Sequence, residues 1–321
     1  MLVSRITARS SSLIKTSTLP SLSYIPIPKA YSTYPIDESA KTIRHLQFKN
    51  RIPFEKGLRI QEKLARVQLD MKDIHSKIQK KLTDLQKEHV NATINENEKK
   101  IIDNILAMKP NPIVLTFEFE PTYTGGKRVK KVITKEQMAA FEEFVPLEQK
   151  KNPKPKFVQV ERGGQITFHG PGQMVAYIIM DLKSFHDYPA KCLVSDIEQA
   201  TINTLENIPI GEEKLHLKTM RTENTGVWTK TGGKIASLGI HVRRSITTHG
   251  VAINVNPDLS YLNSFEMCGL SNAKATSIKD QVPDANITVE DVAITFVKEL
   301  AKLLGVKRVE RMQADDINLD Q

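Results

Sequence analysis

The sequence predicts an α+β fold, a mixed β-sheet flanked by helices. Three observations carry that expectation. Helical stretches stand at 55–90, 191–207 and 288–304, and β-prone runs such as 157–160 and 174–180 lie between them. The two kinds of element mix without a regular strand–helix–strand rhythm, which argues against a purely parallel sheet. The chain has 321 residues, 40% of them hydrophobic, and so can bury a full core.

The elements follow in order. In 55–90, Leu58, Leu64, Val67, Leu69, Ile74, Ile78, Leu82 and Leu85 recur at helical spacing among charges, as in a core-packing helix with a solvated face. The polar stretch 91–100 reads as a loop. A strand is expected over 113–119 and a turn over 121–126. The Lys-rich, proline-punctuated segment 127–156 reads as an insertion or mobile surface segment. A strand follows at 174–182 and a helix at 191–207. Further strands are expected near 225–229, 234–243 and 249–255, with Gly232 and Gly233 as the hairpin turn between the first two. The last helix, 288–304, has Thr288 as its N-cap and Gly305 at its end. No internal repeat is visible.

Composition narrows the function class. The net charge of +9 divides into +4 in residues 1–36 and +5 in 127–156. The remainder is balanced, and no basic stripe interleaved with aromatics supports nucleic-acid binding. The longest apolar run, 174–180, is far short of a membrane span. Two cysteines exclude a disulfide scaffold and fit a reducing compartment. Residues 1–36 are rich in Ser and Thr, carry Arg5, Arg9, Lys15 and Lys29, and lack acids. This is the composition of a mitochondrial transit peptide, with removal near Tyr31–Tyr34 and residence in the mitochondrial matrix.

The densest signal is RGGQITFHGPGQ, running from Arg162 to Gln173. Four glycines, a proline, a histidine and an arginine sit between two β-prone runs, where glycine lets backbone approach a ligand closely. This stretch resembles the signature of the octanoyltransferases. Two later stretches resemble the same family in the same order. One is Gly226-Val227-Trp228 followed by Lys234 to Gly239; the other is His249 to Asn256 followed by Cys268 and Gly269. The resemblance covers roughly 43–305 as a catalytic domain and leaves 306–321 as a C-terminal tail. It implies the biotin/lipoate-protein ligase-like catalytic fold. Phe119 stands where the family carries a histidine, so no role of that histidine carries over.

A thiol attacks only as thiolate, and an ordinary pKa of about 8.5 leaves little of it at neutral pH. The resemblance implies Cys268 as the nucleophile and Lys234 as its catalytic partner. An ammonium there would lower the thiol pKa and a neutral amine could take its proton; sequence leaves both open. Cys192, without such context, reads as structural. The resemblance also implies an acyl site lined by Arg162, Gly163, Gly164, Gln165, Ile166, Thr167, Phe168 and His169, with Ser237, Leu238 and Gly239, and with Gly250, Val251 and Ala252. Backbone N–H groups of Gly163, Gly164 and Gly250 are expected to face the acyl carbonyl. His169 and His249 read first as core histidines, with direct proton transfer as the lesser alternative.

The implied reaction moves octanoyl from octanoyl-acyl carrier protein, through a thioester on Cys268, to a lysine of a lipoyl domain. The expected acceptors are 2-oxoacid dehydrogenase complexes and the glycine-cleavage H protein. A thioester is already activated, so no cofactor is expected: the sequence has neither a P-loop nor a metal-spaced Cys/His cluster. The six methylenes of the chain would contribute roughly 5 kcal/mol on burial. Alternatives on the same fold are an ATP-dependent lipoate–protein ligase and an octanoyl amidotransferase. A basic binding module for nucleic acid or membrane rests on the net charge alone.

Overall fold

The computed structural model describes residues 35–88, 95–266 and 273–314. The basic segment 1–34 lies outside the described residues, and so does Cys268. Pro35 bridges Phe185, and a 3-10 turn at Glu38–Lys41 leads into β1 (Thr42–Gln47). Then come α1 (Phe54–Glu88), α2 (Glu96–Ala107), β2 (Ile113–Phe117), β3 (Thr122–Gly125), α3 (Lys135–Glu142), β4 (Lys156–Gln159), β5 (Ile166–His169) and β6 (Gln173–Ile179). The chain continues through α4 (Ala190–Asn207) and the short strands β7 (Pro209–Ile210), β8 (Glu213–Lys214), β9 (Thr219–Met220) and β10 (Val227–Thr229). The long hairpin β11 (Lys234–Arg243) and β12 (Ile246–Asn254) precedes α5 (Leu259–Leu262), α6 (Ile278–Gln281), α7 (Val289–Leu303) and β13 (Arg308–Gln313).

Among the described residues, eight strands form one mixed sheet in the order β13-β1-β2-β6-β12-β11-β10-β9. β1 runs parallel to both β13 and β2; every pairing from β2 to β9 is antiparallel. A smaller sheet, β4-β3-β5, stands beside it. β6 explains the layering. Its side chains alternate, and both sets are buried. Met174, Ala176 and Ile178 join a core with Leu193 and Ile197 of α4 and Phe296 and Leu300 of α7. Val175, Tyr177 and Ile179 join another with Phe54, Ile60 and Leu69 of α1. A strand buried on both faces reads as a continuous apolar run, which is why 174–180 stood out. The expected α+β fold, a mixed sheet flanked by helices, is the one observed.

Four expectations are corrected. The loop expected at 91–100 gives way to α2 from Glu96: the Asn95 side chain accepts the Glu98 N–H and the Glu98 carboxylate accepts the Asn95 N–H, a capping box that starts the helix. The turn expected at 121–126 is instead β3, whose Thr-Tyr-Thr run pairs with β4 on one side and β5 on the other. Segment 127–156 is folded rather than a loose insertion. It carries α3, capped by Thr134 and Gln137, and its Phe141 and Phe144 pack on a third core of Tyr123, Phe168, Tyr261 and Leu262. The expected tail contains β13, which closes the sheet edge against β1.

Candidate active site

Strand register assembles the site. The Lys234–Gly239 and His249–Ala252 stretches pair residue for residue: Ser237 with Ala252, Leu238 with Val251, Gly239 with Gly250. On the other side of β12, Ala252 pairs with Val175 and Gly250 with Tyr177. Ser237, Ala252 and Val175 therefore form one row across three strands, and Gly239, Gly250 and Tyr177 the row two residues on. Together they floor a cleft between the large sheet and the small one, with Phe54 of α1 and the loop 162–167 as walls.

Twelve of the fourteen residues expected at the acyl site line this cleft. Gly163 and Phe168 do not. Gly163 donates its backbone N–H to Ile240 O at 3.1 Å, so it is not free to face an acyl carbonyl. Phe168 sits between Thr167 and His169 on β5, and strand alternation turns it to the opposite face. There its ring stacks on Tyr261 with centroids 4.3 Å apart. Gly250 lies in mid-ladder between Gly239 and Tyr177, so its backbone N–H lies in the plane of the sheet rather than toward the cleft. Among the described residues, the Gly164 N–H has no acceptor.

Arg162 holds the wall in place. Its guanidinium donates to Gly163 O at 3.0 Å, Gln165 O at 2.9 Å, Thr124 O at 2.9 Å and Thr124 Oγ1 at 2.7 Å. This fork stitches the loop to β3, a job that the planar donor set of arginine suits. The turn after His169 serves a different end. Gly172, at φ +83°, accepts the N–H groups of Val255 and Asn256 at 3.0 Å each; a Cβ there would lie 2.6 Å from Asn256 backbone. Only glycine permits that approach. Gln173 donates to Asn254 Oδ1 at 2.8 Å, and Asn254 Nδ2 donates to Thr276 O at 2.8 Å.

Lys234 opens β11 at one end of the cleft and is buried, its Nζ 5.1 Å from the Trp228 ring centroid. That distance suits a cation over an aromatic face. Glu198 of α4 lies within its electrostatic reach and accepts the Gly226 N–H at 2.8 Å. Burial holds the Glu198 carboxyl above its ordinary range, opposed by the Gly226 N–H, Arg221 and Lys234. The chain resumes beside Lys234: Lys234 N–H donates to Lys274 O at 2.8 Å and Thr276 N–H to Lys234 O at 3.0 Å. Asn263 Oδ1 accepts the Ala275 N–H at 2.9 Å, so the two stems of the segment that includes Cys268 meet there. Cys192, at the start of α4, is buried, and burial raises its thiol pKa.

Both signature histidines are neutral at physiological pH. Burial, then the Arg162 cation, pushes His169 and His249 down to about 3. Neither donates a proton as imidazolium near pH 7. His169 instead stacks on Phe54, centroids 5.4 Å apart. Phe119 fills the adjacent core, edge-on to Phe54 at 5.0 Å. Phe54, Val175 and Tyr177 line the cleft without being expected there from the sequence, and His249, weighed only as a core histidine or proton carrier, joins them. Val175 and Tyr177 were recoverable by alternation from a buried strand; Phe54 comes from a remote helix and had no local signal.

Comparison with known proteins gives the family of the chain. The chain matches the family described as lipoyl protein ligase A/B catalytic domain over residues 92–301. It is 65% identical over 292 residues to the mitochondrial octanoyltransferase of Saccharomyces cerevisiae, covering 89% of each chain. It is 63% identical over 290 residues to the mitochondrial octanoyltransferase of Kluyveromyces lactis, covering 89% of this chain and 87% of that one. Among solved structures, P. falciparum LipL1 in complex with lipoate superposes with a TM-score of 0.50 at 14% identity, covering 87% of this chain and 67% of that one. That likeness concerns the fold alone. The chain belongs to the family of mitochondrial octanoyltransferases, acyl-transferring enzymes built on the lipoyl protein ligase A/B catalytic domain.

Proposed function

We propose that this enzyme takes octanoyl from octanoyl-acyl carrier protein, holds it as a thioester on Cys268, and passes it to a lysine of a lipoyl domain in the mitochondrial matrix. The Cys268 thiolate attacks the thioester carbonyl and expels the carrier thiolate, which takes up a proton. The ε-amine of the acceptor lysine then attacks the acyl-enzyme. An amide forms, the C–S bond breaks, and Cys268 leaves as thiolate while the amine loses its proton. Lys234 supports both halves, by charge on the thiolate or by carrying the proton. Gly164 is the remaining backbone donor for the oxyanion, since Gly163 and Gly250 are engaged elsewhere.

The observation that carries this reading is the convergence of three distant motifs. Arg162–His169, Ser237–Gly239 and Gly250–Ala252 meet in one cleft with buried Lys234 at its end. The stems around Cys268 are tied to each other and to Lys234. Phe54, Val175, Tyr177 and Ala252 give the cleft the apolar surface that a saturated chain needs.

The test is ATP-free transfer. Octanoyl-acyl carrier protein and a lipoyl domain of a 2-oxoacid dehydrogenase or glycine-cleavage H protein are mixed with the wild-type enzyme or with Cys268→Ser. The proposal expects transfer by the first and none by the second, with unchanged melting. Transfer by Cys268→Ser at the wild-type rate, or transfer only from free acid with ATP, overturns it.

A further inference from the structure

The basic turn 127–132 does not drift free of the site. Lys127 N–H donates to Arg162 O at 3.0 Å and Arg128 N–H to Gly164 O at 3.2 Å. Both acceptors belong to the loop that walls the cleft. Between this turn and α3 lies a second, apolar groove, lined by Val129, Val132, Ile133, Phe141 and Phe144. It reaches Ile166, which also lines the cleft, and Ser264, close to the stem of the Cys268 segment. The two hollows therefore share a wall.

Val132 on this groove is 70% exposed. An exposed apolar trough is unusual on a solvated face and marks a contact surface. The turn that supplies Val129, Val132 and Ile133 to this groove is strongly basic. Lys127, Arg128, Lys130, Lys131 and Lys135 fall within nine residues that contain no acid. Glu161 engages Lys127 and Lys130. Among the described residues, Arg128, Lys131 and Lys135 have no carboxylate partner. Lys135 also stands at the first position of α3, at the positive end of the helix dipole, where a cation is disfavoured. Clustered like charge that the fold itself leaves uncompensated calls for an anionic partner.

We propose that this groove is the docking surface of the acyl donor: an acidic, amphipathic helix of the carrier protein lies in the trough and places its thioester arm at the shared wall near Ile166. The proposal rests on the carrier-borne donor of the preceding section. An apolar trough beside a basic turn accepts one helix face, with the acidic side chains of that helix toward the turn.

The experiment uses the full chain and two variants, Arg128→Glu/Lys131→Glu and Val132→Asp. All three sites are exposed, and the backbone bond of Arg128 survives substitution. Steady-state KM is measured for octanoyl-acyl carrier protein, for octanoyl-pantetheine as a small thioester, and for the lipoyl domain. The expected result is a KM for the carrier at least tenfold higher in both variants. The constants for octanoyl-pantetheine and for the lipoyl domain stay within twofold, and the carrier KM of the wild type rises steeply with salt. An unchanged carrier KM overturns the proposal. A raised KM for the lipoyl domain instead overturns it in favour of acceptor docking. If wild-type enzyme accepts octanoyl-pantetheine but not the carrier, the donor assignment fails. If it accepts neither, the transfer reading itself fails, and that outcome is distinct.

Discussion

Gly226 and Lys234 are in close contact: a Cβ on Gly226 would lie 2.6 Å from Lys234 Cε and 2.6 Å from Ala236 O. Gly226 also holds φ +125°, a backbone conformation that side chains rarely adopt. The Gly226-Val227-Trp228 stretch thus shapes the seat of the buried lysine, with Trp228 beneath its Nζ. We expect Gly226→Ala to lower kcat at least tenfold and to cost about 1–3 kcal/mol of stability from backbone strain. Chemical denaturation and steady-state rates check this; an alanine variant with wild-type kcat would contradict the seat.

Lys234→Arg keeps a cation but removes a group that can carry a proton, and its fork does not fit the same seat. Activity is expected to fall by about 10²–10⁴, with the fold intact by circular dichroism. Full activity in this variant would remove proton transfer from the role of Lys234.

Phe168 belongs to the core and not to the acyl cleft. Phe168→Leu should therefore lose about 1–3 kcal/mol of stability while KM for the acyl donor stays within twofold. A selective change in chain-length preference, without loss of stability, would return Phe168 to the cleft.

Three buried histidines set an acid limit. Burial lowers His45 from 6.5 to about 4, and His169 and His249 to about 3. Below about 6.5 the unfolded chain takes up protons that the folded chain refuses. The unfolded state then binds more protons, so stability is full above that pH and falls as pH drops toward 4. The slope reaches about 1.4 kcal/mol per pH unit for each histidine. Replacing His45, whose ring bonds to Thr116 Oγ1 at 2.9 Å and lies outside the cleft, should reduce the slope by about one proton. A slope that His45→Gln leaves unchanged between pH 6 and 4.5 would contradict this assignment.

Much of the fold was legible because patterning and tertiary burial agree. α1, α4 and α7 carry long helical periods, and Thr288 caps α7 as expected. β6 is largely apolar, and β11 and β12 are long. The structure departs from the sequence pattern where local capping or a distant partner strand decides. Asn95 and Glu98 cap a helix out of a polar stretch, and Thr122–Gly125 forms a strand because two neighbouring strands complete it. β13 gains its strand character only by pairing with β1, 264 residues away in the case of Gln47 and Arg311. Within the site, motif residues gave membership but not direction. Phe168 and Gly163 sit inside the signature, yet one serves the core and the other the Ile240 carbonyl. Phe54 and Glu198 reach the site from helices with no motif at all.

The most direct measurement is peptide mass spectrometry of the wild-type enzyme after mixing with octanoyl-acyl carrier protein, without ATP and without acceptor. The account predicts one octanoyl group, carried as a thioester on the peptide that holds Cys268, which disappears when a lipoyl domain is added and reappears on its lysine. An enzyme that transfers octanoyl with no adduct at any time, or with the adduct on Cys192, would contradict it.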